Sequence, residues 1–139
     1  LDQLGCMYRP RVQGVRVGQE LVIRNSDMMT HNTRSYAFRN RPFNIAQPSG
    51  ADERTKVFKR PEKAIQMGCD IHSWMKAFVF AMDHPFFAVS DENGKYSIQG
   101  VPPGDYTVSA WHEEFGEEDA KVTVGESGTI DVSFTFKAE

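Results

Sequence analysis

Apolar residues recur at every second position along most of this chain, and no segment carries the three-and-four spacing of an amphipathic helix. In "VQGVRVGQELVIRN" the alternating positions are Val15, Val17, Leu21 and Ile23, with Gly18-Gln19 placed to turn the chain between them. "RTKVFKR", "KAIQMGC" and "KAFVFAM" are further short runs of this kind, the last ending near Met82. "FAVSDENGKYSI" reads as a hairpin in which Asn93-Gly94 supplies the positive φ angles of a type I′ turn. "VPPGDYTVSAW" reads as a Pro-Gly turn feeding a strand, and "GTIDVSFTF" alternates at Ile130, Val132, Phe134 and Phe136. Residues 26–50 and 112–119 read as loops. Short strands at regular spacing predict an all-β protein built as a β-sandwich.

Charge divides the chain. Residues 1–83 hold 13 Lys/Arg against 8 Asp/Glu, a net of +5, whereas residues 84–139 hold 3 against 11, a net of −8. The switch coincides with Asp83-His84-Pro85, so a boundary is expected there, giving units 1–83 and 84–139. A length of 139 residues suits one average domain or two small ones. The second piece offers only four strands, few for an independent sandwich. No run of 18 apolar residues exists, so no span of a membrane is expected. Arg9, Arg11, Arg16, Arg24, Arg34, Arg39 and Arg41 are scattered rather than gathered with exposed aromatics, which argues against nucleic acid and for docking to an acidic protein patch. Leu1 opens directly onto "LDQLGCMYRP", so a mature form or a fragment is expected.

The chemistry concentrates in "MGCDIHSWMKAF", residues 67–78, where Cys69, His72 and Met75 stand three apart. Thiolate and thioether are soft ligands and imidazole is borderline, the set that copper or zinc selects. The competing reading is a buried Cys, a surface His and a core Met. Upstream, "LVIRNSDMMTHN" places Asn25, Asp27 and His31 in the loop that leaves a strand, and "CMYRPRV" sets an aromatic two residues ahead of a proline. His84 reads as a junction residue, His112 as a structural hydrogen-bonding one, and "EEFGEED" (113–119) as a solvated loop. No Ser-His-Asp order is readable.

The order aromatic-x-Pro, strand, Gly turn, strand, Asn-x-Asp, His-Asn and then Cys-x-x-His-x-x-Met resembles the cupredoxins, the blue-copper electron carriers such as plastocyanin and amicyanin. The resemblance spans residues 4–82 and implies a Greek-key β-sandwich. It further implies a copper ion held by His31 and His72 as imidazole ligands, Cys69 as thiolate and Met75 as the axial ligand. Asn32 would tie the two ligand loops together, His72 would be the electron exit, and Trp74 and Phe78 would exclude water. Two residues depart from the pattern. Gly68 stands where these carriers have a larger residue before the ligand Cys. Cys6, two residues before Tyr8 and on the same strand face by alternation, falls beside the copper loop. Three arrangements are open: a mononuclear site with Cys69, a Cys6–Cys69 disulfide, or a site with both thiolates, similar to the dicopper centre of terminal oxidases.

The stretch "VSDENGKYSIQGVPPGDYTVSAWHEE" resembles the later half of a carboxypeptidase regulatory-like, or transthyretin-like, module. The combination resembles exported bacterial methylamine-utilisation or cupredoxin-like proteins. The expectation is therefore an exported, periplasmic copper-binding electron-transfer protein. An enzyme is not expected, because Met75 would crowd the position a substrate needs. Its partner would be a redox protein or a multi-subunit membrane complex, docked electrostatically. The alternative is a metal-free, disulfide-linked cupredoxin-like subunit with a structural or assembly role in such a complex.

Overall fold

The computed structural model describes residues 1–138, which form eleven strands and no helix. In chain order these are β1 (Asp2–Gln3), β2 (Tyr8–Arg9), β3 (Val12–Arg16), β4 (Glu20–Asn25), β5 (His31–Ser35), β6 (Asn44–Gln47), β7 (Arg54–Val57), β8 (Glu62–Gly68), β9 (Lys76–Met82), β10 (Gly104–His112) and β11 (Gly116–Val124). Contacts divide the chain into a unit of Leu1–Ser97 and a second that begins at Ile98. Residues 83–97 thus stay with the first unit, past the charge switch.

The first unit is a β-sandwich. One sheet has the order β2-β1-β4-β7 and the other β3-β9-β8-β5-β6. The period of two decides which side chains meet between them. Leu21 and Ile23 of β4 face Ile65 and Met67 of β8 and Ala77, Val79 and Ala81 of β9, in one buried cluster with Tyr8, Val15, Ile45 and Phe58. Burying each large aliphatic or aromatic side chain here is worth about 1.5–3 kcal/mol. Gly18, at φ +85°, makes the turn between β3 and β4, as the sequence predicts.

One edge of β8 is irregular. A bulge lies between Glu62 and Ile65, with Ala64 at φ +50°. Buried Glu62 accepts the backbone N–H groups of Phe38, Arg39 and Asn40 and the Asn40 side-chain amide. Burial pushes its carboxyl up, but these donors outweigh that and hold it below the ordinary value.

Four local expectations are corrected. Residues 26–50 are not all loop: they contain β5 and β6, which escape the alternation rule because β5 reads "HNTRS" and buries polar side chains where alternation looks for apolar ones. Residues 112–119 are not all loop either, since Glu117, Glu118 and Asp119 pair with Trp111, Ala110 and Ser109 on β10. Charged strands are tolerated in this exposed hairpin because side chains bond across it, Ser109 to Asp119 at 2.5 Å and Thr123 to Asp105 at 2.7 Å. The expected hairpin over "FAVSDENGKYSI" does not form, since residues 87–98 hold no strand, and the turn at Asn93-Gly94 is not type I′: only Gly94 has positive φ, at +75°. Asp91 Oδ1 accepts the N–H groups of Asn93 and Lys95, and Gly94 N–H bonds to Asp91 O, an arrangement that leaves Asn93 in ordinary backbone space. Finally, "GTIDVSFTF" forms no strand. Alternation describes a side-chain pattern, but a strand also needs a ladder partner.

Candidate metal centre

Strand pairing brings the ligand candidates to one end of the sandwich. β5 and β8 run antiparallel with Arg34 opposite Gly68, so β5 begins where β8 ends. His31 opens β5 and Cys69 comes directly after β8. The bend after β4 is made by Asn25, whose amide donates to Met29 O and whose Oδ1 accepts the Asp27 N–H.

Asp27 organises this end of the sandwich. Its carboxylate accepts the N–H groups of Gly5 (2.7 Å) and Cys6 (2.9 Å) and lies 2.7 Å from His31 Nε2. The Cys6 amide first, then His31, hold this carboxyl down to about 2. It is therefore an ionised acceptor at neutral pH, and Nε2 of His31 turns its N–H toward it. Nδ1 points into the cluster, toward His72.

The second ligand loop is tied to the first by Asn32. Its Oδ1 accepts the Asp70 N–H (2.7 Å) and the Cys69 thiol (3.3 Å), while its amide donates to Asn44 and Asp70. Arg34 holds Asp70 in a 2.8 Å ion pair, and that hydrogen bond foremost keeps the Asp70 carboxyl below its ordinary value. The Tyr8 hydroxyl donates to Asn32 O, and burial pushes its phenol well above the usual range. Met75 N–H bonds back to His72 O (3.0 Å), closing the turn.

Within this frame His31 Nδ1 and His72 Nδ1 face each other at 3.1 Å, and Cys69 Sγ lies 3.9 Å from His72 Nδ1. Two nitrogens about 2.1 Å from one ion can be up to about 4.2 Å apart, and a thiolate and a nitrogen up to about 4.4 Å. Both separations fall inside those limits. A cation between the facing nitrogens would take the place of the proton that joins them. Imidazole and thiol are the donor types that a soft or borderline metal such as copper selects. Met75 is buried in the core with Cys69.

Cys6 is the cysteine grouped with both histidines: its sulfur, one ring nitrogen of His31 and one of His72 all lie within 4.8 Å of one another. It reaches them from a turn, at φ +54°, and not from the strand face expected by alternation. Neither cysteine is in a disulfide. Trp74 lies tilted beside His72, with ring centroids 5.1 Å apart, and donates its indole N–H to Cys6 O at 2.9 Å. Phe78 lies on β9, opposite Val12. Gly68 is accounted for by Tyr36, whose ring would stand 3.2 Å from an added Cβ.

Met29 is a residue that sequence reasoning does not single out, although "DMMTH" sets two methionines just ahead of the ligand His; its sulfur is 3.3 Å from Cys6 Sγ. The other histidines serve local structure. His84 Nδ1 accepts the Phe86 N–H, and His112 Nδ1 accepts those of Glu114 and Phe115.

Comparison with known proteins agrees with this geometry at the level of fold. Among solved structures, a copper-containing nitrite reductase from Thermus scotoductus superposes with a TM-score of 0.54 at 18% identity, over 60% of this chain and 22% of that one. Two reduced amicyanin variants superpose with TM-scores of 0.51 and 0.50, at 18% and 19% identity, each over 58% of this chain and 78% of the other. The chain thus spans about a fifth of the reductase and most of amicyanin. Residues 77–137 match the carboxypeptidase regulatory-like domain family. No curated protein matches the sequence significantly.

Proposed function

We propose that this chain, which has a cupredoxin fold and a carboxypeptidase regulatory-like segment, is a copper-binding electron-transfer protein. The observation that carries the reading is the facing pair of His31 and His72 nitrogens at 3.1 Å, with the Cys69 thiol 3.9 Å from the second. His31, His72 and Cys69 would hold the ion, with Met75 as the weak axial ligand. When bound, copper supplies a one-electron couple between Cu(I) and Cu(II).

The contribution of the chain is rigidity. Asp27 fixes the proton on His31, Asn32 locks the Cys69 loop onto β5, and the apolar core seats Met75 and Cys69. Donors held this way need little rearrangement when an electron arrives or leaves. Half-buried His72, with exposed Trp74 and Ile71 nearby in sequence, is the natural place for that electron to pass. A carrier is favoured over an enzyme because Met75 would occupy the position a substrate would need.

The free thiols of Cys6 and Cys69 favour this reading over a cross-linked assembly subunit. We further propose that the protein is exported, and that it docks on a redox protein or a multi-subunit membrane complex through its basic N-terminal half. That association should weaken as salt rises.

The test is copper stoichiometry. Dialysis against Cu(II) should leave copper bound to the wild-type chain, and His31→Ala and His72→Ala should each lose it. Retention of copper in both variants would overturn the assignment.

A further inference from the structure

We propose that Cys6 and Met29 form a second, outer Cu(I) position, through which copper reaches the buried donors; this rests on the copper reading above. Two sulfur pairs lie among the residues at this end of the sandwich: Cys69 and Met75 are 6% and 1% exposed, whereas Cys6 is half-buried and Met29 is 46% exposed. The two pairs therefore differ in access to solvent.

The outer set is built rather than incidental. Cys6 is held at φ +54°, a conformation that non-glycine residues adopt only when their surroundings impose it. Its N–H is fixed by Asp27 and its carbonyl by the Trp74 indole. The result sets Cys6 Sγ 3.3 Å from Met29 Sδ and within 4.8 Å of one ring nitrogen of His31 and one of His72. Two sulfurs about 2.3 Å from one ion can be up to about 4.6 Å apart, so this pair can share a cation. A thiolate and a thioether are the ligands Cu(I) prefers, so this pair can hold an ion while the imidazoles serve the inner one. Binding displaces the Cys6 thiol proton to solvent and involves no change in oxidation state.

The position suits capture of Cu(I) at the surface. Asp27 clamps both the Cys6 turn and His31, so the outer sulfurs and the inner imidazole are parts of one hydrogen-bonded piece. An ion held at Cys6 and Met29 reaches the Cys69 side by exchanging sulfur ligands around the histidines.

Anaerobic titration of the full apo chain with Cu(I), in competition with a chromogenic chelator, tests this. The wild type is expected to withdraw two equivalents, and Cys6→Ser and Met29→Leu one each, with the Cu(II) visible band of Met29→Leu unchanged. Met29→Leu keeps the test decisive if Cys6→Ser does not fold. Uptake of one equivalent by the wild type, or of two by both variants, would overturn the proposal. Its failure is separable from failure of the reading beneath it. A visible band with a single Cu(I) equivalent sinks only the outer position. Two equivalents, reduced to one by Met29→Leu but without any band, sink only the mononuclear blue-copper centre.

Discussion

Asp27 Oδ2 and His31 Nε2 lie 2.7 Å apart, and through this contact one carboxylate governs both the ligand histidine and the turn that carries Cys6. Outer partners of this kind set the tautomer and the ring orientation of a metal-binding imidazole. Asp27→Asn leaves an acceptor on one side only and removes the charge. Copper affinity measured by chelator competition should fall roughly 10- to 100-fold. An affinity unchanged within error would mean that the core alone positions His31.

Asn32 joins β5 to the Cys69 loop, and its loss strands the Asp70 N–H. Asn32→Ala should destabilise the apo protein by about 1–3 kcal/mol in urea unfolding. Arg34→Ala removes an ion pair whose side chains are 41% and 46% exposed, and should cost less than Asn32→Ala does. The opposite ranking would show that the exposed pair, not the buried amide, holds the loop.

Gly14 of β3 lies beneath Phe87, and an added Cβ would stand 2.3 Å from the ring. Gly14→Ala should cost about 1–3 kcal/mol through overpacking. In the Phe87→Ala background the same change should cost much less, because the clash is gone. Strict additivity in that double-mutant cycle would contradict the packing described.

Glu62 gives the protein part of its acid sensitivity. Its folded value lies below the ordinary 4.5, so the stability it contributes is complete above that pH and is lost as pH falls through the folded value. Urea midpoints measured from about pH 6 down to about pH 3 should fall less steeply in Glu62→Gln than in the wild type. Parallel curves would show that the four donors do not favour the ionised form.

The sandwich is legible in the sequence because Leu21, Ile23, Val79 and Ala81 keep a strict period of two with their neighbours, and burial keeps the same period. β5 is not legible. His31 and Asn32 are buried for hydrogen bonding and candidate ligation, and Thr33 and Ser35 are buried beside them, so the strand that serves the site is the one least like a strand in composition. Cys69, His72 and Met75 can be read from spacing within one loop. Cys6 can be placed near them but not correctly oriented, since its turn depends on Asp27 and Trp74, which lie 21 and 68 residues away. Met29 is hidden for a related reason: its partner, Cys6, is 23 residues distant.

The visible absorption spectrum after Cu(II) addition, recorded for the wild type, Cys69→Ser and Cys6→Ser, tests the copper assignment most directly. An intense thiolate-to-copper band is expected in the wild type and in Cys6→Ser, and its loss is expected in Cys69→Ser. A wild-type protein that stays colourless, with both thiols free and no copper retained, would contradict it.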